Sequence, residues 1–260
     1  MSGIIGQDPR GRSGIVNQFT DVGLNTAIDS EWHSSMNAIQ INSGSLSAHD
    51  AYPHYVQLNA NAVQKDSGEK RVNNSYKASQ HRQWDGEHIF KVAPSASGDI
   101  SWTTAMTINN DGEILKPTQT AFHAYLSSSQ DDPDGSQNTV LNFDAEMFDI
   151  GSNFNTSTKT FTAPVAGKYL FNFRGRLAGV DSSASYYNFL LKTTGTAYNY
   201  LFGMGGGASD SPYWAVGFSV IADMAASETA YIYHNRSGGA DLGAIEGGTS
   251  YSEFSGYLLG

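Results

Sequence analysis

Three aspartates stand close together in a short turn-forming segment. Asp131 and Asp132 precede a proline, and Asp134 follows it before a glycine. Calcium binds through several oxygen ligands, many of them carboxylates, so the cluster has the chemistry of a cation site. The spacing is not that of an EF-hand loop, which needs further ligands and a closing glutamate. We therefore predict a solvated turn with no bound metal or cofactor, and keep calcium at these aspartates as the alternative.

Two histidines upstream also have side chains that bind metals or transfer protons. Six residues separate His81 from His88, and the last four of them are Trp-Asp-Gly-Glu. Their spacing matches no zinc-binding motif. The segment alternates polar and apolar residues like two strands around a turn, so we interpret it as an ordinary β-hairpin.

Aromatic residues around a glycine-rich run are the strongest candidates for ligand recognition. The run from Gly203 to Gly207 is flanked by Tyr198, Tyr200, Phe202, Tyr213 and Trp214. We take Tyr198, Tyr200, Tyr213 and Trp214 as the four candidates for ligand binding. Such rings stack on the faces of sugars. In the alternative interpretation they fill the protein core and a threefold axis.

Motifs that organise catalysis are absent from the sequence. It has no G-x-S-x-G, no H-E-x-x-H, no phosphate-binding Gly-Lys-Ser/Thr loop and no dinucleotide-binding glycine pattern. Paired carboxylates for glycan cleavage are defined by their distance in space, which one sequence does not reveal. We predict that the protein is not an enzyme.

Composition limits the environment and the partners. The 260 residues contain no cysteine, carry a formal net charge of −10, and include 28 glycines. The lack of cysteine fits assembly in a reducing cytoplasm, and the acidic balance argues against nucleic-acid binding. We expect no signal peptide and no membrane insertion, because the first residues lack the required pattern and no apolar run approaches about 20 residues.

Short alternating segments separated by Gly, Ser and Asp clusters predict strands rather than helices. Residues 168–177 form an aromatic run of period two after the turn-forming residues 163–167, and residues 213–221 have the same texture. This pattern indicates an antiparallel sandwich or jelly roll.

The spacing of aromatic residues in the second half resembles the signature of the C1q family, trimeric jelly-roll modules related to tumour necrosis factor. The matching positions are Phe143, Asp149, Phe154, Phe161, Gly167, Tyr169, Phe171 and Phe173. Residues 251–259 are similar to the closing strand of the family, and residues 117–122 to its first strand. A fold of this kind carries many binding activities, so the resemblance says more about fold than about function.

The resemblance implies a jelly-roll head over residues 117–260 that assembles as a homotrimer. Aromatic residues on two of its strands are expected to supply the core and the trimer interface: Tyr169, Phe171, Phe173, Phe254 and Tyr257.

The first 29 residues form a glycine-rich arm with two short apolar elements. One contains Ile4 and Ile5, and the other contains Ile15 and Val16. Elements this short bury no core of their own, but they can add as strands to another protein. The opening is similar to N-terminal peptides of bacteriophage structural proteins, which implies that these four residues anchor the chain to a virion.

Residues 30–116 form a second β-rich region. Residues 102–115 resemble a recurring passage of bacteriophage tail fibres. Alternating, weakly apolar strands in so short a region make a poor monomeric core. We therefore expect a neck in which three chains share one core, and we place its boundary with the head at Pro117.

Four polar loops of the head are predicted to contribute to a ligand-binding surface, since a jelly roll gathers alternate connections at each end. They are residues 127–138, 178–185, 205–211 and 237–249. Their aspartates and glutamate predict an acidic surface, which favours a neutral or cationic glycan over an anionic one.

We thus predict an all-β homotrimer with an N-terminal extended arm (1–29), a β-rich neck module (30–116) and a C1q-like jelly-roll sandwich (117–260). The functional hypothesis is a bacteriophage virion protein, a tail fibre or capsid decoration spike displayed on the virion surface. Its partners would be other copies, capsid or tail proteins, and a host-surface glycan or protein. The alternatives are a non-viral C1q-like lectin of innate immunity and a capsid cement protein without a receptor.

Overall fold

The computed structural model describes residues 21–24, 36–49, 51–131, 139–204, 209–239 and 243–260. Every regular element in these residues is a strand, which confirms the all-β prediction. None of the described residues forms a helix of the length and apolarity that crossing a membrane requires. The chain divides into two compact units after Pro117. The four residues predicted to anchor the arm, Ile4, Ile5, Ile15 and Val16, lie outside the described residues.

The N-terminal unit is built on an eight-stranded sheet with a separate two-stranded hairpin, β5–β6. Its strands are β1 (Asp21–Leu24), β2 (Met36–Ile41), β3 (Gly44–His49), β4 (Tyr55–Ala60), β5 (Val63–Lys65), β6 (Gly68–Lys70), β7 (Ala78–Trp84), β8 (Glu87–Ala93), β9 (Thr103–Ile108) and β10 (Ile114–Leu115). The order is β1-β2-β3-β4-β7-β8-β9-β10. Strands β1 and β2 run parallel and the other neighbours antiparallel.

The turn between β7 and β8 explains why the segment that contains His81 and His88 forms a hairpin. Asp85 and Gly86 both have positive φ, at 53° and 85°. Two such residues are what a type I′ turn requires, and its twist matches that of the strands it joins. His81 and His88 consequently lie side by side, with His81 Nε2 3.3 Å from His88 Nδ1.

The two faces of the eight-stranded sheet differ in chemistry. On one side, which we call the covered face, Gln57, Asn59 and Gln80 are buried. Gln80 Nε2 has three acceptors within hydrogen-bond distance: Gln57 Oε1 at 3.1 Å, Asn59 Oδ1 at 3.1 Å and Glu69 Oε1 at 2.7 Å. Glu69 belongs to β6, which therefore closes over this polar network. On the other side, which we call the open face, the large apolar side chains are exposed: Ile39, Ile41, Leu46, Val56, Leu58 and Val92.

The C-terminal unit, the head, is a sandwich of two antiparallel sheets. Its strands are β11 (Ala121–Tyr125), β12 (Gln130–Asp131), β13 (Thr139–Val140), β14 (Ala145–Ile150), β15 (Phe154–Asn155), β16 (Thr160–Thr162), β17 (Gly167–Val180), β18 (Ala184–Thr193), β19 (Ala197–Gly203), β20 (Ser211–Met224), β21 (Thr229–Gly238), β22 (Ala244–Ile245) and β23 (Glu253–Leu258). The seven-stranded sheet has the order β12-β22-β17-β23-β11-β14, with β20 also paired to β17. The six-stranded sheet has the order β15-β16-β21-β18-β19, with β13 also paired to β21.

A phenylalanine cluster fills the space between the two sheets. The ring of Phe122 lies 4.9 Å from Phe154, 5.0 Å from Phe161 and 5.0 Å from Phe254. Phe171 joins the cluster at 5.7 Å from Phe254. Buried aromatic rings contribute large apolar area and favour offset or edge-on pairs of this kind, so the cluster contributes strongly to the stability of the head.

Two polar positions of the aromatic signature also have structural roles. Asp149 Oδ2 accepts a hydrogen bond from the backbone N–H of Phe154 at 2.8 Å, which fixes the turn between β14 and β15. The Tyr169 hydroxyl donates to the carbonyl of Val165 at 2.7 Å, which ties the turn before β17 to the core. The spacing of the signature residues therefore follows from three structural requirements. These are the turn between β14 and β15, the turn before β17 and the phenylalanine cluster of the core.

The residues predicted for the core and trimer interface divide between two faces of the same sheet. Tyr169, Phe171, Phe173 and Phe254 are buried between the sheets. Tyr257 lies on the outer face and is 43 % exposed. The division follows from the alternation of side chains along a strand.

Candidate binding surface of the head

The described parts of the four predicted loops gather at one end of the sandwich, which we call the loop end. The N–H of Gly247 donates to Ser129 Oγ at 3.2 Å, and the N–H of Gly243 donates to the carbonyl of Gly179 at 3.3 Å. The chain enters β11 at Ala121, whereas the loop end follows the other end of that strand. The loop end therefore lies opposite the point where the chain enters the head.

Acidic residues of the loop end take part in hydrogen bonds within the head. Asp181 accepts from the N–H and hydroxyl of Ser183 at 2.7 and 2.9 Å. Asp210 accepts from the N–H and hydroxyl of Ser182, both at 2.9 Å, which joins two loops. These two aspartates thus stabilise the loops, a role that the predicted acidic ligand surface did not include.

The predicted calcium cluster lies mostly outside the described residues. Asp131 ends β12 and is exposed, while Asp132 and Asp134 lie in the segment 132–138, which the structure does not describe. Among the described residues, no group of three or more His, Asp or Glu side chains is arranged to hold a metal ion. Calcium at the three aspartates stays a prediction.

An arginine forms the centre of a mixed cluster near the loop end. Arg176 forms an ion pair with Glu246 on the outer face of the seven-stranded sheet, and this hydrogen bond raises the pKa of its guanidinium. The guanidinium carbon lies 3.3 Å from the ring centroid of Tyr251 and 5.4 Å from that of Tyr213. Cation–π contacts of this geometry hold both rings in place.

The four aromatic candidates for ligand binding are not brought together. Tyr213 belongs to the Arg176 cluster. Trp214 points to the opposite side of β20, where its ring lies 5.3 Å from Phe202. Tyr200 lies 5.9 Å from Phe218, and Tyr198 packs against the core. A single stacking platform made of all four is therefore not present in the described residues.

Three of the four candidates instead line the gap between two edge strands. Strand β19 ends the six-stranded sheet, and β20 lies beyond β17 in the other sheet. Aromatic side chains from both strands close this side of the sandwich, and we call them the edge seam: Tyr198, Tyr200, Phe202, Trp214 and Phe218. Tyr200 and Trp214 remain more than one third exposed, so the seam is only partly covered by the head itself.

An apolar row crosses the outer face of the seven-stranded sheet at the end away from the loops. The register places one residue from each of β14, β11, β23, β17 and β20 side by side: Ile150, Ala121, Tyr257, Leu170 and Ile221. Ile221 is 58 % exposed and Tyr257 43 % exposed. The next row consists of Phe148, His123, Ser255, Asn172 and Ser219, and Asn172 accepts a hydrogen bond from Ser219 at 2.6 Å. An exposed apolar row on a sheet face has the character of a protein contact surface.

A histidine is fully buried in the head beneath the loop end. His234 of β21 lies 4.8 Å from Phe189 and 6.1 Å from Tyr187, ring to ring. Burial, and secondarily the charge of Arg236, lower its pKa to about 4. Neither ring nitrogen has a hydrogen-bond partner among the described residues. The imidazole is therefore neutral at ordinary pH and acts as a core side chain.

Sequence reasoning missed the Arg176 cluster and His234. Tyr251, Glu246 and Arg176 are separated by up to 75 positions, and no local pattern connects them. The alternation along β21 was the one available signal for His234, because it places the histidine on the same side as Ile232 and Ala230.

The sandwich, its aromatic core and its loop end define a jelly-roll domain. A family profile described as C1q domain matches residues 121–259, more than half of the chain. The chain therefore belongs to the C1q family, as the aromatic signature predicted. C1q domains are typically non-enzymatic binding modules that commonly form homotrimers.

Solved structures similar to the head come from zebrafish and mouse. The globular domain of zebrafish complement 1qA protein is 18 % identical, with a TM-score of 0.43 over 55 % of this chain and 98 % of that one. Murine APRIL is 10 % identical, with a TM-score of 0.39 over 54 % of this chain and 99 % of that one.

Proposed function

We propose that this chain is a homotrimeric attachment protein of a bacteriophage virion, a tail fibre or a capsid decoration spike. Its arm binds capsid or tail proteins, and its C1q head presents three loop ends to a host-surface glycan. Three weak sites on one rigid particle gain strength from multivalency. The main support for the trimer is the apolar row on the outer face of the head.

The apolar row supports a trimer because its large apolar side chains are left exposed by the described residues of the head. Ile221 and Tyr257 are among the most exposed apolar side chains on the seven-stranded sheet. Burial of apolar surface stabilises association by about 25 cal/mol per Å². The partly exposed edge seam is a second surface of matching character. If the seam of one copy meets the row of the next, the contact is heterologous and a threefold rotation closes it into a ring.

Sedimentation equilibrium of the full chain tests the trimer. The natural protein should sediment as a trimer, and Ile221→Asp should shift it towards monomers because a charge would be buried in the contact. Val140→Asp is the matched control, since Val140 is also an exposed strand residue but lies in the other sheet. A monomeric natural chain, or equal effects of the two substitutions, contradicts the assignment.

The virion role is supported by the similarity of the arm and of residues 102–115 to bacteriophage structural proteins, and by the absence of cysteine. Deletion of residues 1–29 should give a soluble trimer that no longer joins the particle, because Ile4, Ile5, Ile15 and Val16 are lost with it. Electron microscopy of particles assembled with each form measures this directly. Normal decoration by the truncated protein would place the attachment elsewhere.

The glycan role is supported by the loop end, which lies opposite the entry of the chain into the head. Binding of the full chain to host cells and to a glycan array, with and without a calcium chelator, tests it. We expect neutral or cationic glycans to be bound, and chelation to abolish binding if calcium bridges the aspartates to a sugar. Calcium-independent preference for sulfated or polysialylated glycans would be inconsistent with this proposal.

A further inference from the structure

The open face of the N-terminal sheet is continuous across six strands. The register aligns one residue from each of β2, β3, β4, β7, β8 and β9 in a row: Ile39, Leu46, Leu58, His81, Phe90 and Met106. A second row is formed in the same way by Ile41, Gly44, Ala60, Ser79, Val92 and Thr103. Leu58 is 58 % exposed and Val92 49 % exposed.

The open face carries no Asp, Glu, Lys or Arg in strands β2–β4 and β7–β10, as far as the structure describes them. The charged residues of these strands, Arg82, Glu87 and Lys91, fall on the covered face by register. Soluble sheets with one buried face usually turn polar residues outward and apolar residues towards the core. This sheet has the reverse arrangement, since its buried face holds the amide network and its exposed face holds the large apolar side chains.

The histidines of the open face are suited to an apolar contact. His81 and His88 are within hydrogen-bond distance of each other at 3.3 Å, so each ring satisfies one nitrogen of the other. The ring of His81 is also stacked on Phe90 at 4.4 Å with an interplanar angle of 3°. The pair therefore adds flat aromatic surface to the open face.

We propose that the open face is buried against the open faces of other copies of this chain. The proposal rests on the proposed trimer and names the surface through which the N-terminal units associate. Because the described strands place no Asp, Glu, Lys or Arg on the open face, this face forms no ion pairs with a charged partner. The open face of a second copy has the same apolar character and is therefore complementary to the first. Residues 116–120 alone separate β10 from β11, so copies joined through their heads hold their N-terminal sheets at high effective concentration.

The size of the open face fits this role. Six strands about 4.8 Å apart and about six residues long give a flat area of roughly 600 Å². A stable protein interface buries about 800 Å² of accessible surface on each partner. Because protruding side chains make the accessible surface larger than the flat area, the open face comes close to that value. Exposed apolar patches of this size on a soluble protein indicate a contact site.

Thiol labelling of the full chain tests the proposal, because the protein contains no cysteine. Leu58→Cys places the only thiol on the open face, and Ser97→Cys places it at an exposed position in a loop of the same unit. In trimeric protein, the thiol at position 58 should react with a water-soluble maleimide at least tenfold more slowly than the thiol at position 97. Equal rates in a trimer would overturn this inference and leave the proposed function standing.

Photo-crosslinking identifies what covers the open face. A photoreactive amino acid at position 58 should give cross-linked dimers and trimers on a denaturing gel, whereas one at position 97 should give far less. Products within a single chain only, together with a protected thiol, would show that the chain covers its own open face and would overturn the inference. Sedimentation of the same samples separates this result from a failure of the proposed trimer, which would appear as a monomer before labelling.

Discussion

Tyr213 and Trp214 are neighbours in β20, yet their side chains lie on opposite faces of its sheet. The Tyr213 ring lies 5.4 Å from the guanidinium of Arg176 on the outer face. The Trp214 ring lies 5.3 Å from the ring of Phe202 in the edge seam. Because successive side chains of a strand point to opposite faces, two adjacent aromatic residues have separate roles.

Alanine substitution should separate these two roles. Trp214→Ala removes a partly buried ring from the seam and should lower the free energy of unfolding by about 2 kcal/mol or more. Tyr213→Ala removes an exposed ring whose main contact is Arg176, and its effect should stay within about 1 kcal/mol. Urea denaturation followed by circular dichroism measures both. If the two variants lost the same free energy of unfolding, Trp214 would not stabilise the edge seam as assigned here.

Alternation along single strands was the part of the fold that the sequence revealed best. The period of two predicted that Tyr169, Phe171 and Phe173 share a face, and the structure places all three in the core. The Asp85–Gly86 turn was similarly visible, because its backbone geometry depends on two adjacent residues. Both features depend only on residues that are close in the sequence, so patterns within the sequence are enough to predict them.

Contacts between distant segments were not predictable in this way. Nothing in the sequence indicates that Tyr251 stacks on Arg176, or that Ser182 satisfies Asp210. In the N-terminal sheet the alternation was evident, but a period of two does not say which face is covered. The β5–β6 hairpin decides it, through the bond from Gln80 to Glu69.

Phe171→Ala should destabilise the head strongly. The side chain is fully buried, with Phe161 at 5.6 Å and Phe254 at 5.7 Å, so its loss leaves a cavity in the phenylalanine cluster. We expect a loss of about 3 kcal/mol or more in the free energy of unfolding. Val140→Ala is the control, because Val140 is exposed and should cost less than about 1 kcal/mol. Similar unfolding midpoints for the two variants would contradict the position assigned to Phe171.

His234 should make the head less stable in acid. Burial lowers its pKa to about 4, whereas an unfolded chain binds the proton near pH 6.5. Between these pH values the unfolded state binds more protons than the folded state, so stability falls as the pH decreases. The head keeps its full stability above pH 6.5. By pH 4, titration of His234 should have lowered the free energy of unfolding by about 3 kcal/mol.

The comparison of His234→Phe with the natural protein isolates this contribution from the carboxylates that titrate in the same range. Phenylalanine preserves an aromatic ring between Tyr187 and Phe189 but binds no proton. The difference in unfolding free energy between the two proteins should change with pH between 7 and 4.5 in favour of the variant. A difference that is independent of pH would show that His234 is not buried in its neutral form.

Substitution of Gly256 in the closing strand should destabilise the head. It lies opposite Phe122 on one side and Phe171 on the other in the register of β23. A Cβ atom at this position would lie 2.9 Å from Cδ1 of Phe171 and still closer to the ring of Phe122. Since both rings are held by the phenylalanine cluster, Gly256→Ala must displace them, and overpacking of this kind costs about 1–3 kcal/mol.

Gly195→Ala is the matched control, because the nearest atom to its added Cβ is the flexible Glu228 carboxylate at 3.7 Å. Thermal unfolding of the full-length variants should therefore show a lowered midpoint for Gly256→Ala alone, and an unchanged midpoint would mean that the cluster yields to the added methyl group.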